Sequence, residues 1–250
     1  MPYVIGKLEG RCGNQFYQIA TSYAYARKHG FQHFVTSPAM YNGSEDDYYF
    51  KNFPTLDTSV NQYGEQRDRV GYTIYVDIPR IEDVMLIGYW QTFRYFDEYR
   101  EELIKLFNLP YQKKMGYVSI HVRRGDYILK GNNEYNLTIN YYKNCISYFI
   151  ERGYKKFLVF SDDIEWCKNN FNKQMYESID FEFSEGRGVL EDLSLMSCCE
   201  HNIVANSTFS YCASWFNQNK DKIILTPDLL HFFDNCNADM IPPNYIQIND

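Results

Sequence analysis

The chain reads as α/β, with a parallel sheet covered on both faces in its C-terminal half, on three observations. From residue 113 onward, short apolar runs rich in β-branched and aromatic residues alternate with stretches of helical period, an order that lays successive strands parallel. Near the N-terminus, one strand, one glycine-containing loop and one helix follow each other directly. Several strand candidates also stop abruptly at polar clusters, which is where a parallel sheet presents its carboxyl ends to ligands. The polar break Tyr111-Gln112-Lys113-Lys114 divides the chain into an N-terminal α/β segment, 1–112, and a Rossmann-like C-terminal domain, 113–250.

Taken in order, Tyr3 to Leu8 is the first strand, followed by Gly10-Arg11-Cys12-Gly13-Asn14-Gln15. A helix comes next, with Phe16, Ile19, Tyr23 and Ala26 at helical spacing and Gly30 as its stop. Glycines in this loop let backbone approach a ligand closely, and Asn14 either caps the helix or faces that ligand. From Ser37 to Arg80 the pattern weakens into loops and short strands. Val84 to Tyr89 is a strand, and Asp97 to Phe107 a helix in which Tyr99, Leu103 and Phe107 step by four.

In the second half, strands are expected at 117–122, 157–160, near Phe181, at 202–205 and at 222–225. Helices are expected at about 138–152, 164–171, 190–199 and 208–218. No GxGxxG follows any of these strands, which removes the nicotinamide and flavin versions of such a domain.

Composition narrows the function classes. Of 250 residues 45% are hydrophobic, enough for a well-packed core, and the net charge of −7 excludes a general nucleic-acid surface. Cations must then act locally. Seven cysteines, an odd number without CxxC spacing, fit neither a disulfide framework nor a structural zinc site. Met1 to Lys7 has no basic region or long apolar core of a signal peptide, and no run of about 18 apolar residues occurs, so a soluble cytoplasmic protein without a transmembrane segment is expected.

The densest chemistry lies in Ser119-Ile120-His121-Val122-Arg123-Arg124-Gly125-Asp126-Tyr127. A buried strand here delivers a histidine, two guanidiniums and a carboxylate together at its carboxyl end. Guanidinium forks suit phosphate oxygens, and the histidine and carboxylate can orient a ligand or exchange protons; a salt-bridged surface turn is the structural alternative. The strand 157–160 ends in Ser161-Asp162-Asp163: Asp163 can cap the next helix, which leaves Asp162 either as a second cap or directed at a ligand. Asp192 stands in the first turn of a helix, where the dipole alone favours a carboxylate. Strand 202–205 runs into Asn206-Ser207-Thr208-Phe209-Ser210, bringing hydroxyls and free backbone N–H groups to a helix N-terminus, a ready anion site. Arg123 and this turn at one sheet edge would hold a diphosphate between a guanidinium and fixed dipoles. The Asp-x-Asp triplet with which many transferases hold a divalent ion is absent from the sequence, so no metal is expected.

Gly-Arg-Cys-Gly-Asn-Gln (10–15), Gly-Tyr-Trp-Gln (88–91), His-Val-Arg-Arg-Gly-Asp-Tyr (121–127), Phe-Ser-Asp-Asp (160–163), Asp-Leu-Ser-Leu-Met-Ser (192–197) and Ala-Asn-Ser-Thr-Phe-Ser (205–210) resemble, in this order, the motifs of the α-1,2-fucosyltransferases, glycosyltransferase family 11. The resemblance implies a GT-B-type fold, with residues 1–112 as the acceptor-side domain and 113–250 binding a GDP-sugar. It implies inverting, metal-independent transfer of fucose from GDP-fucose to a glycan acceptor, usually the 2-hydroxyl of a terminal galactose.

By the same resemblance, Arg123 grips the β-phosphate, His121 and Asp192 hold the guanosine, and Ser207, Thr208 and Phe209 cradle the diphosphate. Gly13, Arg124, Asp162 and Asn206 join them as binding residues, and Arg123, Asp126 and Asn14 are the catalytic candidates. Asp126 is either the base that takes the acceptor proton or a partner of Arg124, with Glu9 or a water on Asn14 as the other source of a base. A GT-B transferase using another GDP-sugar and a non-catalytic nucleotide-sugar binder stay open. Retention of His121, Arg123, Arg124, Asp126 and Asp192 together favours an enzyme.

Overall fold

Strand β1 (Tyr3–Gly6) is buried along most of its length because both of its faces are covered: Val4 packs with Val84, Leu86 and Trp90, and Ile5 with Met85 and Ile87 on the opposite side. This two-sided burial is the mark of a parallel sheet. The computed structural model describes residues 1–41, 43–56, 63–68, 73–129, 136–174, 176–228 and 239–249, with the side chains of Glu45, Asp126 and Leu129 outside that description. The chain divides into two compact units, one of Met1–Asn108 with Cys236–Pro242, the other of Leu109–Asn235 with Pro243–Asp250.

In the first unit, β1 leads into α1 (Cys12–His29), whose end is set by Gly30 in the left-handed region, its N–H bonded to the Ala26 carbonyl. Strands β2 (Gln32–Thr36), β3 (Thr55–Leu56), β4 (Gly64–Arg67) and β5 (Val84–Ile87) follow. Among the described residues they form one parallel sheet in the order β3-β2-β1-β5-β4. The expected helix over 97–107 is shorter: 3-10 turns at Phe93–Tyr95 and Asp97–Tyr99 precede α2 (Arg100–Phe107). Buried Leu103 and Phe107 carry the apolar step that predicts it.

The second unit begins with β6 (Lys114–Val122), three residues earlier than its apolar run. Its start is displaced in register between Lys114 and Val118, beside Gly116 at φ +77°, so an irregular stretch precedes the regular pairing. Then come α3 (Gly125–Leu129), α4 (Ile139–Ile150), β7 (Lys156–Ser161), α5 (Ile164–Asn170), β8 (Asp180–Phe183) and α6 (Val189–Cys198). The unit closes with β9 (Cys199–Ile203), α7 (Thr208–Phe216), β10 (Ile224–Pro227) and β11 (Ile246–Ile248).

All described strand pairs in this sheet are parallel, in the order β11-β10-β9-β6-β7-β8. The chain builds outward from β6 to β8, then returns to the other side of β6 with β9. The strand order therefore reverses between β6 and β9, the place where open parallel sheets bind ligands beyond the strand carboxyl ends. Tyr141, Tyr142, Cys145, Ile146 and Phe149 of α4 cover one face together with Val118, Ile120, Val122, Phe157 and Val159.

Candidate active site

The loop after β6 is built by its neighbour β7. Arg123 Nη1 lies 2.8 Å from Asp162 Oδ2, and the Arg124 amide donates to Asp162 Oδ1 at 2.9 Å. Asp163 caps α5 through Trp166 N at 3.2 Å while its second oxygen takes Arg124 Nε at 3.1 Å. The Arg124 guanidinium also lies over the Trp166 ring, 4.2 Å from its centroid, a favourable contact with the ring quadrupole.

Both oxygens of Asp162 thus hold the Arg123-Arg124 corner in place. Arg124 takes Asp163 as its carboxylate. Asp126 lies in α3, and its side chain, the expected base, is outside the described residues. Gly125 is required here by space, since a Cβ would lie 2.7 Å from Asp162 Oδ2.

On the other side of β6, β9 delivers Asn206 to the start of α7. The Tyr127 hydroxyl donates to the Asn206 carbonyl at 2.8 Å, tying the β6 loop to the β9 loop, and the Arg123 guanidinium lies 5.7 Å from the Tyr127 ring centroid. Asn206 is buried, while Ser207, Thr208 and Phe209 are half-exposed. Ser207 occupies the N-cap position of α7 in extended backbone, yet its side chain makes no capping bond. Phe209 packs on His121, ring centroids 5.4 Å apart.

His121 is 4% exposed and its Nδ1 has no hydrogen-bond partner among the described residues. Burial, reinforced by the Arg123 charge, lowers its pKa to about 3, so the ring is neutral at physiological pH. Thus the carboxyl ends of the neighbouring strands β6 and β9 carry an uncharged imidazole, a fixed guanidinium and a helix N-terminus, a set of groups suited to a phosphorylated ligand.

Asp192 sits in the first turn of α6, the crossover helix from β8 to β9. Its Oδ1 accepts the Ser184 hydroxyl at 2.5 Å, and Arg187 Nη1 donates to the same hydroxyl at 3.1 Å. Burial raises its pKa despite the Ser184 bond and the Arg187 charge. Glu191, not Asp192, accepts the Gly188 amide at the helix start, at 2.7 Å. Asp192 is therefore not needed as a cap.

In the first unit, the expected helix cap Asn14 lies inside α1, with Arg11 at the N-cap and buried Gly13 in the first turn. Glutamine side chains shape the surrounding loops. Gln15 Nε2 donates to the Gly10 carbonyl at 3.0 Å and Gln15 Oε1 accepts from Tyr49 N at 3.0 Å. Gln18 joins the β1 and β5 loops, accepting from Glu9 N at 2.9 Å and donating to the Gly88 carbonyl at 3.1 Å. Gln91 Nε2 donates to Asn14 Oδ1 at 3.0 Å. Glu9, another source of a base, pairs with Lys7 at 2.5 Å. Tyr127 and Gln91 carry a sequence signal through the 121–127 and 88–91 motifs, whereas Gln18 has none.

A model of glycosyl transferase family 11 matches residues 35–234. The chain is 29% identical to an α-1,2-colitosyltransferase of Escherichia coli, over 94% of this chain and 97% of that protein. It is 32% identical to the O-antigen biosynthesis glycosyltransferase WbnK of Escherichia coli over 57% of this chain and 53% of that one. Against galactoside 2-α-L-fucosyltransferase SEC1 of Bos taurus the identity is 23%, over 83% and 62% of the two chains. Among solved structures, fucosyltransferase NodZ from Bradyrhizobium aligns over 85% of this chain and 92% of its own at 12% identity and TM-score 0.48. POFUT1 in complex with GDP aligns over 89% and 98% at 12% identity and TM-score 0.49. With the family match running from β2 past β10, and so through every strand end that carries the site in the second unit, the chain belongs to glycosyl transferase family 11 and is a glycosyltransferase.

Proposed function

We propose that this glycosyltransferase moves L-fucose from GDP-β-L-fucose to a sugar hydroxyl, in the α-1,2 linkage named for its relatives, with the 2-hydroxyl of a terminal galactose as acceptor. The observation that carries this reading is the Arg123 guanidinium, held by Asp162 at the carboxyl end of β6, together with the start of α7, which has no side-chain cap bond from Ser207 and follows the neighbouring strand β9. As the glycosidic bond breaks, negative charge grows on the β-phosphate. A guanidinium held by Asp162 and the backbone amides of α7 stabilise that charge more in the transition state than in the ground state. Reorganisation is small because both groups are already fixed. With these cations and dipoles on the leaving group, and with no Asp-x-Asp triplet in the sequence, the transfer runs without a divalent metal.

Neutral His121 and Asp192 contact the guanosine, and Ser207, Thr208 and Phe209 surround the diphosphate. The sugar ring becomes oxocarbenium-like and the acceptor attacks from the opposite face, giving inversion. Asp126 takes the acceptor proton; near-normal turnover of Asp126→Asn across pH would remove it from that role.

One observation favours a second donor. The relative aligned over 94% of this chain is named a colitosyltransferase, and colitose is fucose without its 3-hydroxyl. A site that hydrogen-bonds that hydroxyl rejects the analogue lacking it by about 10⁴-fold, so relative kcat/KM for GDP-fucose and GDP-colitose separates the two. Calorimetric titration with GDP, GDP-fucose, GDP-colitose, GDP-mannose and UDP-galactose in EDTA tests the whole reading. GDP and one 6-deoxy-sugar nucleotide should bind without metal; absence of guanosine binding, or binding only with a divalent ion, would overturn it.

A further inference from the structure

The turn Gly88-Tyr89-Trp90-Gln91 at the carboxyl end of β5 is held in a costly conformation. Trp90 has φ +53°, a region that bulky side chains rarely enter, and Gly88 has φ +142°. Gln91 is only 6% exposed, and its Oε1 has no donor among the described residues. A buried acceptor left unsatisfied opposes folding. Both costs fall in one turn, next to β1 at the centre of the sheet.

What the turn achieves is the placement of one amide. Gln91 Nε2 donates to Asn14 Oδ1 at 3.0 Å, across 77 residues of chain. That bond decides which end of the Asn14 amide points where: the carbonyl faces Gln91, and the NH₂ lies on the other side, against Gly10. There a Cβ would come within 2.4 Å of Asn14 Nδ2, and Gly10 itself has φ +70°. Gln18 braces the same region by linking Glu9 to Gly88. Asn14 is half-exposed while Gln91 is buried, so Asn14 is the member that can reach a ligand.

We propose that Gln91 is a positioning residue for the transfer reaction, fixing the Asn14 side chain so that its NH₂ is presented as a hydrogen-bond donor. This rests on the transferase reading above and deepens it. The strained turn and the unsatisfied Oε1 are retained because the amide must be oriented as a donor toward Asn14. A carboxylate at position 91 would face the Asn14 oxygen with another acceptor and reverse it.

Two full-length variants test this with GDP-fucose and a methyl β-galactoside. Gln91→Met keeps the length and removes both the donor and the unsatisfied acceptor. Its expected effect is a kcat loss of about 10²-fold, with unchanged GDP affinity and a Tm equal to or above wild type. Gln91→Glu should be rescued by acid, because its carboxyl can donate to Asn14 only when protonated, and burial raises the pKa of that carboxyl. Above that pKa, its activity relative to wild type should rise about tenfold per unit fall in pH.

A Tm loss without a kcat defect in Gln91→Met, or a Gln91→Glu profile parallel to wild type, would overturn the positioning role while leaving the transferase reading intact. A wild-type chain that binds no guanosine nucleotide and transfers no sugar would instead sink that reading, and this role with it.

Discussion

Arg123 and Asp162 meet at 2.8 Å from the ends of two neighbouring strands, 39 positions apart in sequence. The carboxylate does not neutralise an idle cation; it aims one of the site's few guanidiniums. Arg123→Ala should lower transfer by about 10²-fold or more. Asp162→Asn should cost on the order of 10- to 100-fold by loosening that aim. Gly125→Ala should resemble Asp162→Asn, because the new methyl would displace the Asp162 carboxylate. Transfer rates and GDP titrations on folded protein check all three.

Ser207→Ala should separate helix stability from binding. An N-cap serine ordinarily contributes about 0.5–2 kcal/mol through its side-chain bond, but Ser207 makes no such bond. Denaturant unfolding should therefore change little while affinity for GDP falls. A stability loss of full capping size would show that the hydroxyl serves the helix.

His121 predicts a specific acid sensitivity. The folded ring has a pKa of about 3, whereas an unfolded histidine titrates near 6.5. Between these values the unfolded chain binds the extra proton, so stability is complete above about pH 6.5 and declines as pH falls toward 3, by up to about 1.4 kcal/mol per pH unit from this group. His121→Asn should flatten that part of the unfolding profile. Direct titration of the imidazole by NMR should show no protonation between pH 5 and 8.

Asp239 offers a test in the first unit. Its oxygens accept from Tyr75 N at 2.8 Å and Arg94 Nη1 at 2.6 Å, and its carbonyl takes the Thr92 hydroxyl at 2.7 Å. Burial pushes its pKa up, but the Tyr75 and Arg94 hydrogen bonds and the Arg94 charge outweigh that and carry it below the ordinary value. Its contribution is thus present above the usual carboxylate range and lost as pH falls through the depressed pKa. Asp239→Asn should lower Tm by about 2–4 °C at pH 7, with the difference from wild type vanishing in acid.

Two edge strands show why part of the fold is not written in local sequence patterns. In β4 the residues Gly64-Glu65-Gln66-Arg67 carry no apolar side chain, and the strand forms at a sheet edge by pairing with β5. Likewise β11 is mostly exposed and exists through its pairing with β10. Such strands draw stability from a partner's backbone groups; β4 leaves no apolar period to read, and the Ile246-Gln247-Ile248 alternation of β11 is only three residues long. By contrast β6, β7 and β9 are buried on both faces and announce themselves. The site residues at their ends were legible for the same reason, since an abrupt passage from buried strand to charge marks a strand terminus.

By itself the sequence determined the alternation of strands and helices, and with it the delivery of His121 and Arg123, Asp162 and Asp163, and Ser207 and Thr208 to strand carboxyl ends. Hydrophobic period and capping chemistry act within a few residues, so these features need no knowledge of partners. Only the tertiary structure decided that β6 lies between β7 and β9, that Asp162 pairs with Arg123, and that Gln91 reaches Asn14. Those pairings join residues that are remote in sequence, and the order in which crossover connections lay down the strands, not any local pattern, brings them together.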